Sequence, residues 1–164
     1  MSKKSARRGY KVSKTPAAAV VNRRASFDYA LGKTLTVGLE LTGAETKAAR
    51  LGHIQLKGSY VTAKDNQLWL INASFSLPSG QRGGARAVDT RARRILAHRR
   101  EIDDLIAAKN QTGITIVPLK LLTRTRYIKL VIATGKGKKQ YDKREAIRRK
   151  DLAREALRER KAAR

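Results

Sequence analysis

Residues 113–134, GITIVPLKLLTRTRYIKLVIAT, restrict the fold more than any other stretch of the chain. Ile114 and Ile116, then Leu119 and Leu121 after Pro118, then Ile128, Leu130 and Ile132 recur at every second position, with Lys129 set between apolar neighbours. Successive side chains of an extended backbone point to opposite faces, so this period gives one apolar face and one polar face. Polar residues interrupt the pattern from Thr123 to Arg126. The segment therefore predicts a long antiparallel hairpin turning there.

The preceding chain fits the same plan. FDYALGKTLTVGLEL, from Phe27, is rich in β-forming residues and predicts a hairpin divided at Gly32-Lys33. SYVTAKDNQLWLINASF predicts two short strands around the turn-formers Lys64, Asp65 and Asn66. Between them LTGAETKAARLG reads as a short helix, with Thr42 as cap, Glu45 at the reciprocal capping-box spacing and Gly52 as the left-handed stop. Its Ala44, Ala48 and Leu51 share one face, and Lys47 and Arg50 another. PSGQRGGARA, from Pro78, is glycine-rich, basic and aperiodic, which predicts a mobile loop. Residues 89–110, DTRARRILAHRREIDDLIAAKN, predict a helix with Ile95, His98, Ile102, Leu105 and Ile106 on one stripe, ended by Gly113. About six strands and two helices, with strands joined by turns, give a mainly β chain and a small antiparallel barrel, closed or nearly so.

Both ends are basic. Residues 1–24 hold eight basic residues and no acid. They predict a disordered arm over 1–21, with order beginning near Asn22 and the folded domain spanning 22–135. From Lys136 to Arg164 thirteen bases face five acids. Asp142 and Glu145 repeat the cap spacing, and Glu145–Arg149 is a favourable i,i+4 pair, whereas Glu155–Glu159 opposes it. This tail, 136–164, is expected to be partly helical alone and helical on a polyanion.

With 38 Lys and Arg against 13 Asp and Glu, the net charge is +25, so the chain repels itself and calls for a polyanion. Nucleic acid, an anionic membrane and an acidic protein are the candidates; no apolar run approaches the ~20 residues of a spanning helix, and none follows the basic amino terminus as a secretory signal requires. No cysteine is present, in keeping with a reducing cytoplasm. Signals for catalysis fail. Gly32-Lys33-Thr34 ends like a nucleotide-binding loop, but Phe27 occupies the position of its first glycine, and Gly135 and Gly137 lack a third at Gln140. His53 and His98 have no partners at metal-ligand spacing, and Glu101, Asp103, Asp104 and Glu145 lie among arginines as solvated ion pairs. The expectation is a binder with no cofactor, no metal and no small-molecule substrate. Aromatic residues are few and the signature of an RNA-recognition motif is missing, which favours reading of shape and backbone. Tyr60 and Phe27 alternate with polar residues on predicted strands and are expected in the core, whereas Tyr141, without apolar neighbours, is placed to stack on a base.

In order along the chain stand NRRASFDYAL, LTGAETKAARLG, GSYV, TRARRILAHRREID, ITIVPLKL and GKGKKQYDKRE. This succession resembles the SmpB family, the SsrA-binding proteins that partner tmRNA, from about Asn22 to the end of the chain. The resemblance implies an oligonucleotide-binding-type β-barrel with peripheral helices, no catalysis, and a role in trans-translation and ribosome rescue. The barrel would hold the tRNA-like end of tmRNA, while the tail, helical in the small ribosomal subunit, enters the decoding centre and the empty message channel beside the ribosomal RNA. It carries tmRNA contact onto Asn22, Arg23, Arg24, Glu45, Lys47, Arg50, Gly52, Ser59, Tyr60, Lys120 and Lys129, and ribosome contact onto Lys136, Lys138, Lys139, Tyr141, Asp142, Lys143 and Arg144. For Glu45, capping alone also explains the residue. Departures occur at Thr36, where the family usually has an acid, at Ala44, Thr46, Ala48 and Ala49, which replace bulkier residues of the first helix, and at Ala133, Thr134 and Gly135 before the basic cluster. A weaker or rearranged RNA contact at the first helix is the expected consequence. The alternatives are a structural ribosomal protein, for which a small basic barrel is equally apt, and an RNA-modifying enzyme, for which no cofactor loop is found.

Overall fold

The computed structural model describes residues 19–77, 87–124 and 126–142, and beyond them Arg144, Glu145, Arg148, Leu152 and Glu155. The expected mobile loop, apart from Ala87, and the expected arm up to residue 18 lie outside the described residues. The chain enters as β1 (Ala19–Val21), makes the single-turn helix α1 (Ala25–Asp28) and runs into β2 (Tyr29–Leu39). Helix α2 (Gly43–Arg50) leads to β3 (Ile54–Gln55), β4 (Tyr60–Lys64), β5 (Gln67–Ile71) and β6 (Ser74–Leu77). Then come β7 (Ala87–Asp89), β8 (Arg93–Leu96), helix α3 (Arg99–Lys109), β9 (Ile114–Leu122) and β10 (Lys129–Gly137).

Six antiparallel strands pair in the order β9-β10-β2-β8-β5-β4, and Val61 of β4 pairs back onto Ile116 of β9. The sheet thus closes into a ring, which leaves few unpaired edges. Strand β1 lies along the part of β9 beyond that junction, with Val20 opposite Leu121, and β3, β6 and β7 make a smaller sheet against which α2 packs. Inward-facing Val37, Val61, Leu68, Leu70, Ile95, Ile116, Leu121, Leu130 and Ile132 fill the interior, and Leu105 of α3 joins them. This is the mainly β, antiparallel architecture that the alternation predicts.

Local features confirm several expectations and explain one irregularity. Asp65 and Asn66 both adopt left-handed backbone (φ 51° and 54°), as a two-residue hairpin turn between β4 and β5 requires. Gly52 has φ 75° just past α2, and β9 and β10 form the expected hairpin. Within it Val131 pairs with Lys120 but Ile132 with Pro118, so Leu119 is the extra residue of a bulge. That insertion accounts for the phase change from Ile116 to Leu119 in the sequence.

Other expectations give way. Residues 29–39 form one continuous strand, with no turn at Gly32-Lys33: a Cβ at Gly32 would sit 2.8 Å from Thr134 Oγ1, so this glycine permits close approach of β10. Phe27 lies in α1, half-buried, not in a strand. Residues 89–98 are not helical, because Arg93 and Ile95 alternate inward with Arg94 and Leu96 outward and pair with β2 and β5. Pairing on two sides overrides helical propensity there. The helix begins only after His98, whose N–H donates to the Glu101 carboxylate (2.9 Å), and His98 itself is exposed. On α2 the buried face is Glu45, Ala48 and Ala49, while Ala44 is exposed and Leu51 is 43% exposed. Among the described residues ahead of the tail, ten strands and three helices replace the six or so and two expected, and strands run from Ala19 to Gly137.

Candidate nucleic-acid interface

The α2 helix carries two of the expected RNA-facing cations, and its orientation is set from beneath. Thr42 accepts from the Glu45 N–H (3.3 Å), and Glu45 Oε2 accepts from the Thr42 N–H (2.7 Å). Glu45 is completely buried, which alone would raise its pKa. Hydrogen bonds from Arg91 and the Thr42 N–H, with the charges of Arg93 and Arg91, outweigh that and hold it at about 2. Arg91 grips both oxygens, through Nε to Oε1 (2.8 Å) and Nη2 to Oε2 (2.6 Å), and Arg93 Nε donates to Oε1 (2.8 Å).

Arg93 is itself wholly buried. Its Nη1 donates to the carbonyls of Ala73 (3.0 Å) and Arg91 (2.8 Å), its Nη2 lies 3.4 Å from Asp89 Oδ2, and its guanidinium stacks 3.8 Å over the Phe75 ring. Burial pulls its pKa down from the ordinary value, against the Glu45 charge. Glu45 is therefore committed to fixing α2 in place, and Lys47 and Arg50, both exposed, ride on that helix. Arg91 and Arg93 are absent from the sequence-derived set. Their signal was the period-two spacing of Asp89, Arg91, Arg93 and Ile95, which the helical reading of this stretch concealed.

Lys120 on β9 stands opposite Val131, and Lys129 precedes Val131 by two residues, so both lysines project from the same outer face of the ring. Both are exposed. Arg50 Nη2 donates to the Arg126 carbonyl (3.3 Å), which ties α2 to the β9–β10 loop and brings Lys47 and Arg50 beside the hairpin cations.

A second group gathers around a cavity of about 330 Å³ lined by Asn22, Arg24, Asp28, Tyr29, Ser59 and Tyr60, among others. Asn22 Nδ2 donates to the carbonyls of Leu56 (3.1 Å) and Pro118 (2.9 Å), and its N–H to the Leu119 carbonyl (2.7 Å). It thus clamps the β9 bulge to the chain before β4. Its Oδ1 is buried without a donor. Replacement by alanine removes two bonds and relieves one lone acceptor, so Asn22→Ala is expected to cost about 1–2 kcal/mol, read as a lower urea midpoint with unchanged slope. Ser59 is buried and donates its hydroxyl to the Leu56 carbonyl (2.6 Å). Tyr60, expected in the core, is 45% exposed because odd positions of β4 face inward and even ones outward. Arg23 is exposed, and Arg24 pairs with Asp28 (3.3 Å). Gly52 supplies the turn that ends α2.

The tail leaves beside this second group. Lys136 and Gly137 still pair with Ala30 and Tyr29, the Lys138 N–H donates to the Asp28 carbonyl (3.0 Å), and Lys138 Nζ to the Ser26 carbonyl (2.9 Å). Helical backbone begins at Gln140; Asp142 Oδ2 accepts from the Lys139 N–H (3.1 Å), the place that Glu45 takes in α2, rather than serving as the cap. Lys139 and Arg144 are exposed, and Tyr141 is 69% exposed. Lys143 lies outside the described residues. No group of three or more potential metal ligands occurs among the described residues.

Comparison with known proteins assigns this arrangement a lineage. A family model described as SmpB protein matches residues 19–162. The SsrA-binding protein of Oenococcus oeni is 44% identical over 134 residues, 82% of this chain and 86% of that one. The SsrA-binding proteins of Lysinibacillus sphaericus (42% over 134 residues, 82% and 86%) and Trichormus variabilis (39% over 137, 84% and 88%) are similar. A solved structure described as "tmRNA-SmpB: a journey to the center of the bacterial ribosome" superposes with a TM-score of 0.62 at 34% identity, covering 81% of this chain and 96% of that one.

Proposed function

The chain belongs to the SmpB family, and on that premise we propose that it is an RNA-binding adaptor that carries tmRNA to stalled ribosomes for trans-translation. The observation that carries this reading is that the family match extends over both the folded ring and the basic tail, residues 19–162. The cations of α2 and the β9–β10 hairpin, with the surface around Asn22, Arg24 and Tyr60, form the tmRNA-facing side of the body. The tail beyond β10 occupies the decoding centre and the empty message channel. The protein performs no bond chemistry and acts in the cytoplasm; no described helix is long and apolar enough to cross a membrane.

Each phosphate neutralised by a lysine steepens the dependence of affinity on salt. Lys120→Ala and Lys129→Ala are each expected to lower the slope of log K against log salt for tmRNA by about 0.7–0.9. An unchanged slope in both variants removes those lysines from the interface. Sedimentation tests the adaptor role as a whole: the chain should travel with a tmRNA-bearing minority of ribosomes. Stoichiometric presence on every ribosome would instead mark a structural ribosomal protein.

A further inference from the structure

The loop between β9 and β10 presents an aromatic ring that phosphate contacts alone leave without a task. Tyr127 is 67% exposed, and the Arg126 guanidinium lies 5.4 Å from its ring centroid. The bond from Arg50 to the Arg126 carbonyl fastens this part of the loop to α2. Beside the ring opens a cavity of about 410 Å³, walled by Gly38, Thr46, Leu96, Tyr127, Ile128 and Lys129 among others. That volume is within the range of small-ligand sites.

The chemistry of the walls narrows the occupant. They are apolar or uncharged apart from Arg126 and Lys129. Glu40, which follows the wall residue Leu39, is not itself part of the wall and lies within electrostatic reach of Arg91. Gly38 keeps the floor open: a side chain there would start 3.2 Å from Leu96 Cβ. An apolar slot with a tyrosine at its mouth and two cations at its rim matches a flat, uncharged ring that carries a phosphate. Paired bases in a double helix are closed to such a slot, whereas an unpaired base turned out of a loop enters it readily.

We propose that this cavity takes one unpaired nucleobase of the bound RNA, stacked on the Tyr127 ring, with the adjoining phosphate held by Arg126 and Lys129. The proposal deepens the RNA-binding reading above and rests on it. Sequence-tolerant stacking would add affinity that salt does not screen.

The test uses the full chain, intact tmRNA, and a blunt, fully paired RNA duplex. Tyr127→Phe is expected to bind tmRNA within about twofold of the unaltered chain, and Tyr127→Leu about five- to 150-fold more weakly. The salt slope of Tyr127→Leu should stay unchanged and its duplex binding unaffected. Thermal unfolding checks that both variants fold. Equal tmRNA affinity for Tyr127→Leu and the unaltered chain overturns the proposal, as does an equal loss on the duplex or a shallower salt slope. If the unaltered chain binds tmRNA no better than the duplex, the adaptor function falls first and this proposal with it.

Discussion

Truncation after Lys139 is expected to leave tmRNA bound and to abolish peptide tagging. Residues 140–164 carry ten bases and five acids, and the last described strand of the ring ends before them, at Gly137. Their removal should change tmRNA affinity by less than about threefold, under 1 kcal/mol, while tagging on stalled ribosomes falls to background. The position of the cut matters. Lys136 and Gly137 pair with β2 and, at Lys136, with Ile114 of β9, and Lys138 bonds to the Asp28 carbonyl. A cut after Gly135 would strip these bonds and confuse unfolding with loss of function. Tagging by the 139-residue protein at normal levels would refute the division between body and tail; loss of tmRNA binding would refute it from the other side.

Glu45→Gln is expected to destabilise the fold by about 3–5 kcal/mol, a large part of the total for a domain of this size. The substitution keeps the shape but removes the negative charge between Arg91 and Arg93, and it aims an amide N–H₂ at guanidinium donors. Two cations, one of them fully buried, lose the closest of their counterions and keep only Asp89, 3.4 Å from Arg93 and 3.7 Å from Arg91. Acid should act on the same group. With a folded pKa of about 2 against an unfolded value near 4.3, Glu45 contributes about 3 kcal/mol that is complete above roughly pH 4.3 and vanishes as pH falls through about 2. Melting temperatures of the unaltered chain and Glu45→Gln should therefore converge as pH is lowered across that window. Parallel curves, or a loss below about 1 kcal/mol at neutral pH, would show that the cluster is not what anchors α2. Because Lys47 and Arg50 ride on that helix, RNA affinity should weaken along with stability.

What the sequence made legible were features with a strong local period or a local chemical signature. The β9–β10 hairpin, the Asp65-Asn66 turn and the Thr42–Glu45 box of α2 are written in neighbouring residues, and each stands in the fold as expected. Long-range pairing was hidden. Gly32 resembles a turn until Thr134 is placed against it, and Arg91 to Ile95 resemble a helix until β2 and β5 flank them. The candidate site divides in the same way. Exposed lysines and arginines on α2, β9 and β10 were evident from charge alone, but the work assigned to Glu45 and Asn22 depends on partners far along the chain: Arg91 and Arg93 for the first, the Leu56 and Pro118 carbonyls for the second. Arg126 reads as a turn residue and Tyr127 has no role in the sequence pattern, because nothing local reveals the cavity beside them.

The most direct measurement is to sequence the RNA that copurifies with the full chain at physiological salt. One dominant structured species, tmRNA, is the predicted result, recovered with a minority of ribosomes. A broad mixture in proportion to cellular abundance, or ribosomal RNA alone, would contradict the account and reduce the chain to a polycation without a dedicated partner.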